Sequence, residues 1–286
     1  MGSHFVPQCC LKGFECSDEP GLIWMYDQVS KQFRKIPIKA AAQRPAFYDN
    51  ETEKQLAIIE GPAHAALGRL RRGEALSESA RAEFALYIAV MLKRVPHGRQ
   101  RAQQLLPAVF EQSRNRARSQ VSAWATKLNT PEEDVARRLD QLDSIYEKFW
   151  QDPPQEVVDQ INSPWHGPRV VQAIHSMTWR VMRGEPDNPF ITGDNPAAYF
   201  ESEGVGQPES ELTFPLSSDL VLLASRRGSP GELISVPTRP SLVREVNRRM
   251  AAGTDRFVFC CEDKEWIPSL MEKSRLRVDH IKWQWL

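Results

Sequence analysis

The chain has 286 residues, with 37 basic and 37 acidic side chains and a formal net charge of zero. Hydrophobic residues make up 41% of it and are spread along its whole length, which excludes disorder as the main state; a chain of this size buries roughly three quarters of its unfolded surface. Neutrality argues against a protein that coats nucleic acid non-specifically, and leaves room for a local basic site.

Residues 4–48 read as short strands and turns. Gly21 to Asp27 is a strand candidate behind an Asp-Glu-Pro-Gly turn, and Lys31 to Ile38 follows as a second strand that Pro37 ends or places at an edge. The two predict a hairpin across Gln28 to Lys31. From residue 51 the period changes: Leu56, Ile59, Ala63, Leu67 and Leu70 recur at helical spacing, with a kink or break expected at Pro62. Ser77 starts a second helix that runs to about Arg94, is apolar almost all round near Leu86 to Leu92, and is therefore placed centrally; Val95 to Gly98 stops it. A long helix is predicted from about Arg99 to Leu128. Thr130-Pro131-Glu132-Glu133 reads as an N-cap, a first-turn proline and first-turn acids, opening a helix to about Trp150 that Pro153-Pro154 closes. A further helix is predicted over about Pro168 to Met182. Strands return in Asn188 to Phe200, in Glu211 to Ser225 with an interrupting Pro-Leu-Ser-Ser turn, in Glu232 to Pro237 and in Arg256 to Cys261. Short helices are expected over Ser241 to Ala252 and Trp266 to Lys273.

Strands, then helices, then strands is an α+β pattern. It predicts a mixed or antiparallel sheet from the N- and C-terminal strands with a central helical block. The chain is read as a single composite domain over 1–286, with strands in 1–48 and 186–262 around a helical block at 51–184.

No apolar run approaches the roughly 18 residues needed to span a bilayer, and no secretory signal is visible, so a cytoplasmic protein is expected. Gly2-Ser3-His4 resembles an expression scar, but His4 continues into a motif and is read as native. The five cysteines, Cys9, Cys10, Cys16, Cys260 and Cys261, fit a reducing compartment and read as small apolar residues in strands. His64, His97, His166, His175 and His280 show no metal-ligand spacing. Trp24, Trp179, Trp283 and Trp285 read as core or lid packing.

Neutrality hides two opposed blocks. Lys93 to Arg118 holds seven basic residues against Glu111 alone; Glu132 to Asp159 holds nine acids against three bases. The first block could face phosphates. The simpler reading is two antiparallel neighbouring helices that compensate each other or face water.

The start, His4-Phe5-Val6-Pro7-Gln8 with Leu11-Lys12 and Phe14, resembles the opening of the bacterial family known as domain of unknown function 4238. Leu22 to Asp27 is similar to that family's early strand, and Phe47-Tyr48 with Glu53 and Glu60 to its lead into the first helix. Arg94-Val95-Pro96 with Arg99 matches its Arg-x-Pro-x-x-Arg element. Ile191 to Pro196 resembles its Thr-Ser-Asp-Asn-Pro turn, and Pro215 to Ser217, Val246-Asn247 and Arg256 to Val258 complete the set. The resemblance covers nearly the whole chain and implies no established activity. Three positions depart from it: Cys9 and Cys10 stand where the family usually has aromatic residues, and Gly193 replaces its serine.

The polar residues of these motifs suggest a chemistry. His4, Asp194 and Glu60 are the candidate catalytic residues; Gln8, Arg94, Arg99 and Asn195 are candidates for substrate binding. Such a set would suit phosphodiester cleavage, with the histidine or a metal-bound water in attack and arginines facing the developing charge. No cofactor is certain, and a divalent metal stays an open option. The expected activity is a nuclease-like hydrolase, as a bacterial toxin or anti-phage effector, with nucleic acid or a phosphorylated small molecule as partner. The alternatives are a non-catalytic sensor module that binds a nucleotide or a protein, and an enzyme acting on a small phosphorylated metabolite. Each residue also has a structural reading: an Asx-turn for Asp194, helix capping and bridging for Arg94 and Arg99, a hydrogen-bonding role for His4, and an ion pair with one of those arginines for Glu60. Convergence of His4, Asp194 and one of the others in an open pocket separates the readings.

Overall fold

A computed structural model describes residues 2–185, 187–200, 203–229 and 233–275. The chain divides into two compact units, one from residues 1–98 with 164–286 and one from Arg99–Ser163.

The first unit begins with β1 (Gly2–His4), the short helix α1 (Gln8–Leu11), and the hairpin β2 (Leu22–Asp27) and β3 (Gln32–Pro37). The predicted hairpin forms, with Lys31 in the left-handed region at φ 56° and Pro37 as the last residue of an edge strand. β4 (Gln43–Pro45) pairs antiparallel with β1. Helix α2 (Asn50–Arg71) is capped by Asp49 and passes through Pro62 without ending. Gly61 and Pro62 lie on its exposed side, so the break expected there does not occur. Helix α3 (Glu78–Arg94) starts where Ser77 accepts from the amide of Ala80 at 3.2 Å. Phe84 to Leu92 are buried apart from Leu86, which is half-buried, as the all-round apolar pattern predicts. Val95 is extended, and helix α4 (Pro96–Lys127) begins immediately after it. Pro96 to Gly98 therefore open the next helix rather than a loop.

The second unit consists of the rest of α4, helix α5 (Glu132–Gln151) and helix α6 (Gln155–Asn162). Pro131, not Thr130, is the N-cap of α5, and no side chain caps it. No residue of α5 is buried. The sequence reading did not anticipate α6.

The first unit resumes with helix α7 (Pro168–Ser176), which ends earlier than expected. Residues Thr178–Arg183 form strand β5, not the end of a helix. Buried Thr178, Trp179 and Val181 are bracketed there by two strands, and β-branched and aromatic residues suit that position. The remaining elements are β6 (Thr192–Gly193), β7 (Ala198–Tyr199), β8 (Glu211–Ser217), β9 (Leu220–Ser225), β10 (Leu233–Pro237), α8 (Pro240–Gly253), β11 (Phe257–Cys260) and α9 (Trp266–Arg275). Strand β8 continues through Pro215 with a register shift before Ser217, so the turn falls at Ser218-Asp219.

Among the described residues the strands build an α+β fold with one two-, one four- and one five-stranded sheet. The four-stranded order β3-β2-β11-β6 joins N- and C-terminal strands antiparallel, as expected. The five-stranded order β10-β5-β9-β8-β7 is mixed, because β10 runs parallel to β5. Its middle strand β9 is buried throughout, and its run Leu220 to Leu223 is purely aliphatic. Phe84 of α3 meets Trp179 of β5 and Phe214 of β8, each at 6.0 Å between ring centres, which seats the central helix on this sheet. The cysteines pack as expected, though not all in strands: Cys9 and Cys10 lie on α1, Cys260 on β11. Trp283, Trp285 and His280 lie outside the described residues.

Candidate functional site

The N-terminal motif is assembled against α2 and α3. The end of α3 directs Arg94 under β1, where its side chain is only 2% exposed. Its Nη1 donates to Glu60 Oε1 at 2.5 Å and its Nη2 to the backbone carbonyl of His4 at 2.6 Å. The Tyr48 hydroxyl donates to the carbonyl of Arg94. Glu60 keeps 32% of its side chain exposed. The ring of His4 is half-buried and its Nε2 lies 3.1 Å from the carbonyl of Lys39, so it donates there in the Nε2–H tautomer. His4, Glu60 and Arg94 thus come together, with Arg94 as the hub. Gln8 is exposed at the start of α1.

Next to this hub, Cys10 Sγ lies 2.9 Å and Cys9 Sγ 3.7 Å from the Tyr87 hydroxyl. The neighbouring Cys10 thiol draws the Cys9 thiol down to about 7; burial opposes this and Tyr87 assists it. Cys10, fully buried, is pushed up, first by its hydrogen bond with Cys9 and then by burial. Arg71 donates to the carbonyls of Leu216 and Cys10, at 2.8 Å through Nε and 3.1 Å through Nη2, and so ties α2 to β8 and α1. The sequence offered no signal for Arg71.

Asp194 does not join this cluster. It lies buried at the end of β6, and its two oxygens accept from the amides of Asp255, Arg256 and Phe257 at 2.8, 2.7 and 2.9 Å. Burial pushes its carboxyl up to about 6, against the pull of those three donors. These bonds make a brace across β6 and β11, in place of the local Asx-turn expected for Asp194. Asn195 donates from Nδ2 to the carbonyl of Gly253 at 2.9 Å, and its buried Oδ1 has no partner among the described residues. A side chain at Gly193 would collide with the Thr254 hydroxyl, which accounts for glycine there. Asn247 continues the brace: it accepts from the amide of Ile191 and donates to the carbonyl of Pro189, both at 2.9 Å. Arg256 holds Asp27 with two bonds of 2.9 and 2.8 Å. Arg99 belongs to the second unit.

In the second unit, the expected compensation of the two charge blocks is realised at Asp143. Arg114 Nε donates to it at 2.8 Å and Arg118 also pairs with it. Beside this network is an open cleft of about 470 Å³ lined by Pro107, Phe110, Glu111, Arg114, Asp143, Tyr146, Glu147 and Trp150. The Phe110 ring lies 5.2 Å from Tyr146 and 5.1 Å from Trp150. Sequence reasoning missed this cleft. Its only signal was the aromatic spacing of Tyr146, Phe149 and Trp150, which also fits an ordinary helix seam.

Among the described residues, no three His, Cys, Asp or Glu side chains are grouped to hold a metal ion. Likewise, no helix of the described residues is long and apolar enough to cross a membrane. No curated protein and no solved structure matches the chain. A family model described as "Protein of unknown function (DUF4238)" matches residues 3–264, and with nearly the whole chain covered the protein belongs to that family.

Proposed function

We propose that the chain is a non-catalytic protein-binding module, and that the helical unit 99–163 makes the contact. The observation that carries this is the aromatic cleft of Phe110, Tyr146 and Trp150, which stands open on a helical pair whose second helix buries no residue. Leu105, Val109, Trp124 and Ile145 of the same unit are exposed as well. Aromatic pockets with apolar neighbours are the common anchors of protein interfaces. A phosphate ligand is supported less, because Arg114 and Arg118 are committed to Asp143. Two of the polar motif residues hold the fold: Asp194 through three amides, Arg94 through Glu60 and a carbonyl. All five cysteines are free, as a reducing compartment keeps them, so we place the module in the cytoplasm.

A second reading, the phosphodiester-cleaving hydrolase, draws on one observation. Glu60 retains a partly exposed carboxylate oriented by Arg94 in the same cluster as His4.

A peptide array probed with the full chain separates the two. The expected result is saturable peptide binding that is lost in Trp150→Ala, with no turnover of bis(4-nitrophenyl) phosphate. Turnover that disappears in Glu60→Gln at unchanged melting temperature would overturn the binding reading in favour of the hydrolase.

A further inference from the structure

The cleft between α4 and α5 also has a charge, and the charge selects a ligand. Of its lining residues, Glu111, Asp143 and Glu147 are acidic and Arg114 alone is basic. Arg114 is already shared between Asp143 at 2.8 Å and Glu111 at 3.6 Å. Asp143 is also held by Arg118. Glu147 is exposed and only adds to the field on Arg114, whose ion pairs are with Asp143 and Glu111. The uncompensated charge at the cleft is therefore negative, and it stands beside three rings. Phe110 stacks on Phe149 at 5.8 Å, meets Tyr146 edge-on at 61° and lies at 43° to Trp150, so the three rings that line the cleft point in differing directions.

Ring faces carry partial negative charge and attract cations, most strongly when a carboxylate stands nearby. An anion would meet both the ring faces and Glu147 unfavourably. A neutral apolar group would leave Glu147 without a partner. We infer that this cleft receives the guanidinium or ammonium group of an arginine or lysine in a basic segment of a partner protein. A protein segment suits the site better than a free small cation because Val109 and Ile145, each adjacent in sequence to a cleft ring, are exposed and offer apolar contact to the residues beside the cation. The planar guanidinium of arginine stacks on such rings better than the ammonium of lysine does.

This inference rests on the protein-binding reading and names the chemistry of the partner. Fluorescence polarisation with the full chain tests it, using three labelled peptides of equal length: one with arginines between leucine and glycine, one with those arginines replaced by glutamine, and one with glutamate. The basic peptide is expected to bind at least about tenfold more tightly than the glutamine peptide. Trp150→Ala and Glu147→Lys should each weaken it about tenfold. Glu132→Lys, the same charge change in the first turn of α5 and outside the cleft lining, should leave it nearly unchanged. Equal weakening by Glu132→Lys would reduce the effect to overall charge and overturn the inference. Equal or tighter binding of the glutamine or glutamate peptide would also overturn it, while leaving the protein-binding reading in place. If the chain self-associates and Trp150→Ala returns it to a monomer, a second copy fills the cleft and the inference falls. Binding of none of the three peptides, together with an array that shows no peptide bound, would remove both.

Discussion

The guanidinium of Arg94 is sealed against the carboxylate of Glu60, 2.5 Å away, while its other nitrogen holds the backbone of His4. Arg94 thus ties Glu60 of α2 to β1. Arg94→Ala should destabilise the chain by about 3 kcal/mol, because it removes the partner of Glu60 and leaves the His4 carbonyl unbonded. Arg94→Lys should recover only part of this, since a single ammonium does not reproduce the two-pronged geometry. Urea unfolding followed by fluorescence measures both. Equal stability of wild type and Arg94→Ala would show that the pair does not hold the fold.

Asp194 is expected to behave as a brace. Asp194→Asn keeps the shape but turns an NH2 group toward one of the three backbone amides. A loss of about 2–4 kcal/mol is expected, read as a lower urea midpoint at unchanged slope. A variant as stable as wild type would contradict the brace.

Two carboxyls give the pH dependence opposite signs. The Arg256 guanidinium holds Asp27 well below the usual carboxylate range. Its contribution is fully present above its unfolded value of about 4 and is lost as pH falls below that. Asp194 sits at about 6 in the folded chain, so it adds stability as pH falls from about 6 towards 4 and loses it on the way back up. From these two groups the melting temperature should rise from pH 7 to pH 5 and drop below pH 4. Arg256→Ala should flatten the acid limb, and Asp194→Asn the rise. Profiles that keep both features in the variants would refute the assignment.

Of the five cysteines, Cys9 should react first. Its thiol is lowered to about 7 and is half-buried, whereas Cys10, Cys16, Cys260 and Cys261 are all raised. Brief iodoacetamide treatment at neutral pH, followed by peptide mass mapping, should find the label on Cys9. Tyr87→Phe removes one stabilising hydroxyl and should slow that labelling. Preferential labelling of Cys261 would contradict the geometry.

Much of the fold was readable from local patterns. Ser77 announced α3, the apolar run after Phe84 announced its central place, and Gly21 to Pro37 announced the β2–β3 hairpin. The errors arose where distant partners decide. Thr178 to Arg183 looks like the continuation of α7 until β9 and β10 lie on either side of it. Pro62 looks like a break until its ring is seen on the exposed side of α2. The site was less legible for the same reason. Asp194 finds its three donors more than sixty residues away, in a segment that carries no mark of them. The Glu60–arginine pair was foreseen because both residues sit on predicted helices. The cleft was not, because Phe110 and Trp150 meet only when the turn between α4 and α5 folds the two helices together.

Isothermal titration of an array-selected peptide into the full chain and into Trp150→Ala is the most direct measurement of the central claim. Trp150 is 45% exposed but packs on Phe110 at 5.1 Å, so its removal should lower the melting temperature by a few degrees, and the titration is run well below that of the variant. The account predicts one peptide bound per wild-type chain and at least a tenfold weaker complex with the variant. Equal affinity in the two chains would contradict it.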